Sequence, residues 1–174
     1  MTLEFQPTPL AGVFEVQTDP RVDRRGSFAR LFCEDELRAV APEFRVCQSN
    51  LSINKIRGTV RGLHFQKPPH EEAKLMCCVR GSIWVVALDL REASAGRHHS
   101  TEISATNGRL LLVPRGTANG FQTLEDDSVV LYFMSHPYEP SAIAGFHPES
   151  CGVEWPLEIS EVSDRDLALP EFQR

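Results

Sequence analysis

The sequence predicts a single all-β domain, a sandwich or barrel of short antiparallel strands. Three observations carry that prediction. Short runs rich in β-branched and aromatic residues recur along the chain, as in "KLMCCVRGSIWVVALDLR", "GRLLLV" and "SVVLYFMSHPY". The 11 glycines and 12 prolines are scattered at short intervals, as turns between strands require. Helical patterning is confined to two short pieces, and neither is long enough to organise a core.

The elements follow in order. "VFEVQT" alternates apolar and polar residues and reads as a strand. "RVDRRGSFARLF" then turns at Arg25-Gly26 into a second strand, and "CEDELRAVAP" is a short helix with Pro42 behind it. "KLMCCVRGSIWVVALDLR" reads as two strands joined as a hairpin at Arg80-Gly81. "GRLLLVPRGTANGFQTL" gives a strand, a Pro-Gly turn and a strand, and "SVVLYFMSHPY" gives another. "EVSDRDLALPEF" is polar and then apolar, a short helix packed on the barrel. No repeat or linker interrupts the 174 residues, so one domain over 1–174 is expected, long enough to bury a sizeable core.

Composition narrows the function classes. Hydrophobic residues make up 41% and charged residues 24%, ordinary for a soluble globular protein. The formal charge of −6 disfavours nucleic acid or an anionic membrane as partner, so an anionic ligand must meet a local cluster of Arg and Lys. No apolar run approaches the ~20 residues of a membrane span, and "MTLEFQPTPL" lacks the features of a secretory signal. The 5 cysteines show no C-x-x-C pair, and the adjacent Cys77 and Cys78 should point to opposite faces of a strand. Reduced thiols in a cytoplasmic protein are expected.

Arg61 to Gly81, "RGLHFQKPPHEEAKLMCCVRG", looks like a site. Metal-binding cupins carry two hairpin motifs whose frames both fit here. The first runs from Gly58 through His64 and Gln66 to Lys74 and Gly81; the second runs from Gly108 through Pro114 and Gly116 to Asn119. Where those cupins place His, His, Glu and His, this chain has His64, Gln66, Lys74 and Asn119. An ammonium has no lone pair and repels a cation, and one imidazole with two amides suits neither Zn nor Fe. The frame therefore points to a metal-free pocket, with His70, Glu71 and Glu72 as decoration of a Pro-rich turn. Lys74 then stands where a developing enolate oxygen would be stabilised. An unperturbed imidazole titrates near pH ~6.5, so His64 suits a general base. Together they suggest proton abstraction next to a carbonyl.

Across nearly its whole length the chain resembles the dTDP-4-dehydrorhamnose 3,5-epimerases and relatives acting on other nucleotide 4-ketosugars. The residues that carry the resemblance are "DRRGSFARLF", "QSNLS", "TVRGLHFQ", "AKL", "VVALDLR", "VPRGTANGF", "GVEWP" and "SDRDLALP". It implies a cupin-type jelly roll (a double-stranded β-helix) with a few short helices, a homodimer, no metal and no organic cofactor. The implied ligand is a nucleotide-diphosphate sugar, epimerised at C3, C5 or both. By the same resemblance His64 is the catalytic base, Asp166 the carboxylate that orients it, Tyr132 the acid on the opposite face of the sugar, and Lys74 the residue beside the 4-keto oxygen. Arg25, Gln48, Asn50 and Arg61 match positions lining the sugar and diphosphate pocket, and Tyr138 matches an aromatic near the sugar or base. Asn119 falls at another pocket position.

Three departures stand out. The family commonly has His at Asn119, Glu at Arg30, and Lys-Thr-Thr after the catalytic tyrosine, where this chain reads "YFMS". They leave open which nucleotide and sugar are bound and whether one carbon or two are epimerised. A 3,4-ketoisomerase relative, or a metal-free cupin that binds a nucleotide sugar without turnover, is the alternative.

Overall fold

The computed structural model describes residues 1–173. In chain order the strands are β1 (Leu3–Pro7), β2 (Phe14–Thr18), β3 (Arg21–Asp23), β4 (Gly26–Phe28), β5 (Gln48–Asn54), β6 (Val60–Gln66), β7 (Lys74–Arg80), β8 (Ser82–Asp89), β9 (His98–Ser104), β10 (Arg109–Val113), β11 (Thr117–Thr123), β12 (Ser128–Met134) and β13 (Ile143–Gly145). Two short helices, α1 (Glu34–Leu37) and α2 (Asp164–Leu167), complete the set with a 3-10 turn at Glu92–Ser94. One sheet has six strands in the order β1-β2-β10-β7-β12-β5, and a second has five in the order β13-β6-β11-β8-β9. The paired strands in both sheets are antiparallel. The result is the expected jelly roll, two sheets face to face.

The near-continuous apolar runs are strands covered on both faces. Along β10, Leu111 and Val113 enter the core between the sheets, while Leu110 and Leu112 pack outward under Leu3, Leu37 and Phe44. Along β8, Val85 and Ala87 face the central core, and Val86 and Leu88 meet a layer that includes Phe146, Trp155 and Phe172. The N-terminal segment thus roofs one sheet and the C-terminal segment the other. Cys78 and Cys77 fall in the inner and outer clusters respectively, as alternation requires, and all five cysteines are free. Each fully buried Leu or Val side chain contributes about 1.5–3 kcal/mol, so these three clusters dominate stability.

The hairpin expected at Arg80-Gly81 is not one. β7 pairs with β10 and β12, whereas β8 pairs with β9 and β11, so the chain crosses from one sheet to the other at Gly81. Gly81 has φ +73°, and a Cβ there would stand 2.5 Å from Ser128 Oγ. The periodicity cannot distinguish the two outcomes, because both strands are buried on both sides. α1 is shorter than the sequence suggests, at four residues, and its N-cap Cys33 makes no side-chain capping bond. β3 and β4 form a separate exposed hairpin whose Val22 and Phe28 are 75% and 67% exposed. Among the described residues no helix is long and apolar enough to cross a membrane.

Candidate active site

A cavity of about 480 Å³ opens between the two sheets. The five-stranded sheet contributes Arg61, His64 and Gln66 from β6 and Asn119 and Phe121 from β11; the six-stranded sheet contributes Asn50 and Ser52 from β5, Lys74 from β7, and Tyr132 and Met134 from β12. The four residues that replace the cupin ligands, His64, Gln66, Lys74 and Asn119, therefore do share one cavity.

His64 lies on a central strand, its Cα opposite Asn119 on β11 and Gly145 on β13. Its Nε2 is 2.7 Å from Asp166 Oδ1. An ionised carboxylate only accepts, so Nε2 carries the hydrogen and the lone pair falls to Nδ1, the tautomer a base requires. Asp166 stands behind the histidine, 4% exposed, rather than in the cavity wall. Its backbone N–H donates to Ser163 Oγ at 3.1 Å, the N-cap of α2, and its Oδ2 accepts from the Gly62 N–H at 3.1 Å. Burial pushes the Asp166 carboxyl up. The hydrogen bond and charge of His64, the Gly62 N–H and Arg165 outweigh that and hold it below the ordinary carboxylate range. Gly62 has φ +113°, and an ideal Cβ would lie 2.7 Å from the Asn119 carbonyl oxygen and Gly120 Cα. Only glycine lets β6 approach β11 and Asp166 together.

Across the cavity, on the opposite sheet, Tyr132 packs against Phe121 with ring centroids 6.5 Å apart. Burial pushes its phenol well up, against the smaller opposing effects of Ser52 and the Arg61 charge, so the hydroxyl stays protonated over the physiological range. Arg61 is held by an Nε bond to Asn54 Oδ1 at 2.6 Å, and buried Asn54 donates to the Ser128 carbonyl at 3.1 Å. Lys74 is 8% exposed, its Nζ 2.9 Å from Glu72 Oε1 and 3.4 Å from Asn119 Oδ1. Asn119 also donates from Nδ2 to the His64 carbonyl at 3.2 Å, so it ties the histidine's strand to the lysine.

The remaining expected residues divide. Tyr138, 50% exposed, lines the cavity rim. Gln48 and Asn50 do share a strand face, since both amides reach Met134 Sδ, at 3.7 and 3.2 Å. Only Asn50 lines the cavity; Gln48 instead accepts the Tyr138 N–H at 2.9 Å and fixes the rim. Arg25 is a correction at the level of one protomer: it sits on the β3–β4 turn, paired with Asp23 at 2.6 Å and outside the cavity. Arg30 pairs with Glu36 of α1, also away from it.

Glu72 is a second correction. It is not turn decoration but a buried carboxylate, 7% exposed, in the cavity wall. Its signal was present in the sequence, because residues 72 and 74 are two apart in extended chain and face the same way. Arg165, beside Asp166, and Met134 also line the cavity and were missed. Gln66, read as a vacated ligand position, pins two loops: it donates to the carbonyls of His70 at 2.8 Å and Pro137 at 3.2 Å and accepts from the Glu139 N–H at 2.7 Å. Among the described residues no group of three or more His, Cys, Asp and Glu is placed to hold a metal ion.

Comparison with known proteins gives a consistent picture. A family model described as dTDP-4-dehydrorhamnose 3,5-epimerase matches residues 7–174. The dTDP-4-dehydrorhamnose 3,5-epimerase of Sinorhizobium fredii is 36% identical over 173 residues, covering 97% of this chain and 89% of that protein. The dTDP-4-dehydrorhamnose 3-epimerase of Streptomyces niveus is 32% identical over 169 residues, covering 94% and 81%. The crystal structure of the Bacillus anthracis 3,5-epimerase with TDP and PPi bound superposes with a TM-score of 0.94 at 30% identity, covering 98% of this chain and all of that one.

Proposed function

This chain belongs to the dTDP-4-dehydrorhamnose 3,5-epimerase family, and we propose that it epimerises a nucleotide-linked 4-keto-6-deoxyhexose at C3, C5 or both, with His64 as base and Tyr132 as acid. The observation that carries this reading is the placement of the two groups. His64, backed by Asp166 at 2.7 Å, and a half-buried, protonated Tyr132 stand on opposite sheets of one cavity. A sugar ring lying between the sheets meets a base on one face and an acid on the other, which is what inversion at a carbon requires.

His64 takes the proton next to the C4 ketone, and the electron pair moves onto O4. Lys74 stabilises that enolate, and its charge acts more strongly for being buried, at 8% exposure, than it would in water. Asp166 stabilises the imidazolium. Tyr132 then gives its proton to the carbon from the other face, and the nearby Arg61 charge stabilises the phenolate left behind. Arg61 and Arg165 supply the local positive charge that an overall acidic protein needs to hold a diphosphate. Relatives named for dTDP sugars favour dTDP as the nucleotide. No step calls on a metal or an organic cofactor.

The same reading includes a homodimer. Val22 and Phe28 on the exposed hairpin, and Leu51 and Ile53 on β5 at the open edge of the six-stranded sheet, leave apolar surface that a second copy would cover. Pairing of this kind would also give Arg25, stranded outside its own cavity, a route to the cavity of a neighbour.

The test is a panel of nucleotide 4-keto-6-deoxysugars in deuterated buffer, read by mass and NMR. Deuterium should enter at C3, C5 or both, and His64→Ala should stop it. Undiminished exchange in that variant would sink the role of His64, and tight binding with no exchange in the wild type would sink the epimerase reading.

A further inference from the structure

We propose that Glu72 is a specificity-determining residue that accepts a hydrogen bond from the sugar hydroxyl on the carbon next to the ketone, at C3; this rests on the epimerase reading given above. Glu72 lines the cavity with its side chain 3% exposed. One carboxyl oxygen, Oε1, pairs with Lys74 Nζ at 2.9 Å, while the other, Oε2, is buried with no hydrogen-bond partner among the described residues. A carboxylate oxygen left unpaired in a dry site is costly, and folded proteins rarely leave one without a reason. Among the described residues no side-chain or backbone donor satisfies this oxygen, and because it is closed off from open space a ligand donor completes the pair once the carboxyl turns toward the cavity.

The pair selects what that donor is. Lys74 Nζ is a donor and Glu72 is an acceptor, fixed side by side. A hydroxyketone presents the complementary pair, an acceptor at O4 next to a donor at O3, with similar spacing. C4 has two neighbouring carbons. C5 bears a methyl group, which offers no hydrogen for bonding, and C3 bears the hydroxyl. With Lys74 on O4, the adjacent carboxylate falls to O3–H. The carboxyl turns about a last torsion that is broad and shallow, so either oxygen can be offered without breaking the contact with lysine. When a proton leaves C3, the C3 and C4 oxygens come into one plane, and the cation and the anion continue to address one oxygen each. An ionised carboxylate accepts and never donates, so a sugar lacking a donor at C3 leaves Glu72 unpaired and is rejected, the same logic by which buried polar groups discriminate strongly against a missing hydroxyl.

The test compares dTDP-4-keto-6-deoxyglucose with its 3-deoxy counterpart, using wild type and Glu72→Gln, read as α-proton exchange (kcat/KM) and as binding affinity. Wild type should discriminate against the 3-deoxy sugar by about 10- to 100-fold. Glu72→Gln should lose a similar factor on the parent sugar and little more on the 3-deoxy sugar. Equal loss on both sugars would mean that Glu72 only holds Lys74, and it would overturn the proposal. So would a wild type that handles the two sugars alike, a result that needs no variant to fold. Should no sugar exchange at all, the epimerase reading falls, and the affinities of wild type for the two sugars still decide Glu72.

Discussion

At His64 the proposed chemistry depends on a neighbour 102 positions away in the chain, Asp166. Asp166→Asn keeps the shape but removes the charge that stabilises the imidazolium and the acceptor that fixes the tautomer. Exchange should fall by about 10²- to 10⁴-fold, measured in deuterated buffer against a folding control. The same residue leaves a mark on stability. Its folded carboxyl titrates below the ordinary value of ~3.9, so its stabilising contribution is fully present above that pH and is lost as pH falls through the lower folded value. Wild type should therefore exceed Asp166→Asn in thermal stability near neutrality, and the gap should close on acidification below pH ~4. In the proposed mechanism Tyr132 acts after the proton has left. Tyr132→Phe should still exchange the α-proton with solvent but give little inverted product, with turnover down about 10²- to 10⁴-fold by product analysis. Loss of exchange and inversion together would contradict separate base and acid.

At the scale of elements, β6 is the strand on which the site depends. Gly62 lets it press against β11 while its N–H holds Asp166, two residues before His64. Gly62→Ala should cost about 3 kcal/mol in denaturant unfolding, because a positive φ that disfavours any side chain adds to a clash with backbone. β7 teaches a different lesson. Its alternation is visible in "KLMCCV", and it places Lys74, Met76 and Cys78 on one face and Leu75 and Cys77 on the other. Carrying that alternation two residues back would have placed Glu72 beside Lys74. The Pro-rich turn before it hid the signal, since prolines read as loop rather than as the entry to a strand.

For the whole molecule, the exposed hairpin and the open edge at β5 are the features that a lone protomer leaves unexplained. The chain should sediment as a dimer, and Phe28→Asp with Leu51→Asp should shift it toward monomer; a wild type that is monomeric at micromolar concentration would remove the role given to Arg25. The jelly roll was legible because strand periodicity, Gly-Pro punctuation and the frames around His64 and Asn119 are local properties of the chain. The site was legible in part. His64, Lys74 and Asn119 came from the motif frames and Arg61, Asn50 and Tyr132 from the family resemblance, and all six line one cavity. Arg165 carries no strand signal, because it enters the cavity from α2, whereas Met134 follows Tyr132 by two residues on β12 and shares its face. The swap of sheets at Gly81 was invisible, because two strands buried on both faces look the same whether or not they pair.

The sequence by itself determined the strand-rich pattern and the chemical character of His64 and Lys74, with Tyr132 added by the family resemblance, because covalent geometry sets period-two alternation and side-chain chemistry needs no fold. Only the tertiary structure decided which groups meet. It put His64 and Tyr132 on opposite walls, Asp166 behind the histidine rather than in the cavity wall, Arg25 outside the cavity, and Glu72 against Lys74 with one oxygen unpaired among the described residues. Those relations follow from how two sheets close on a shared core, and they depend on contacts between residues far apart in the chain, which no local pattern encodes.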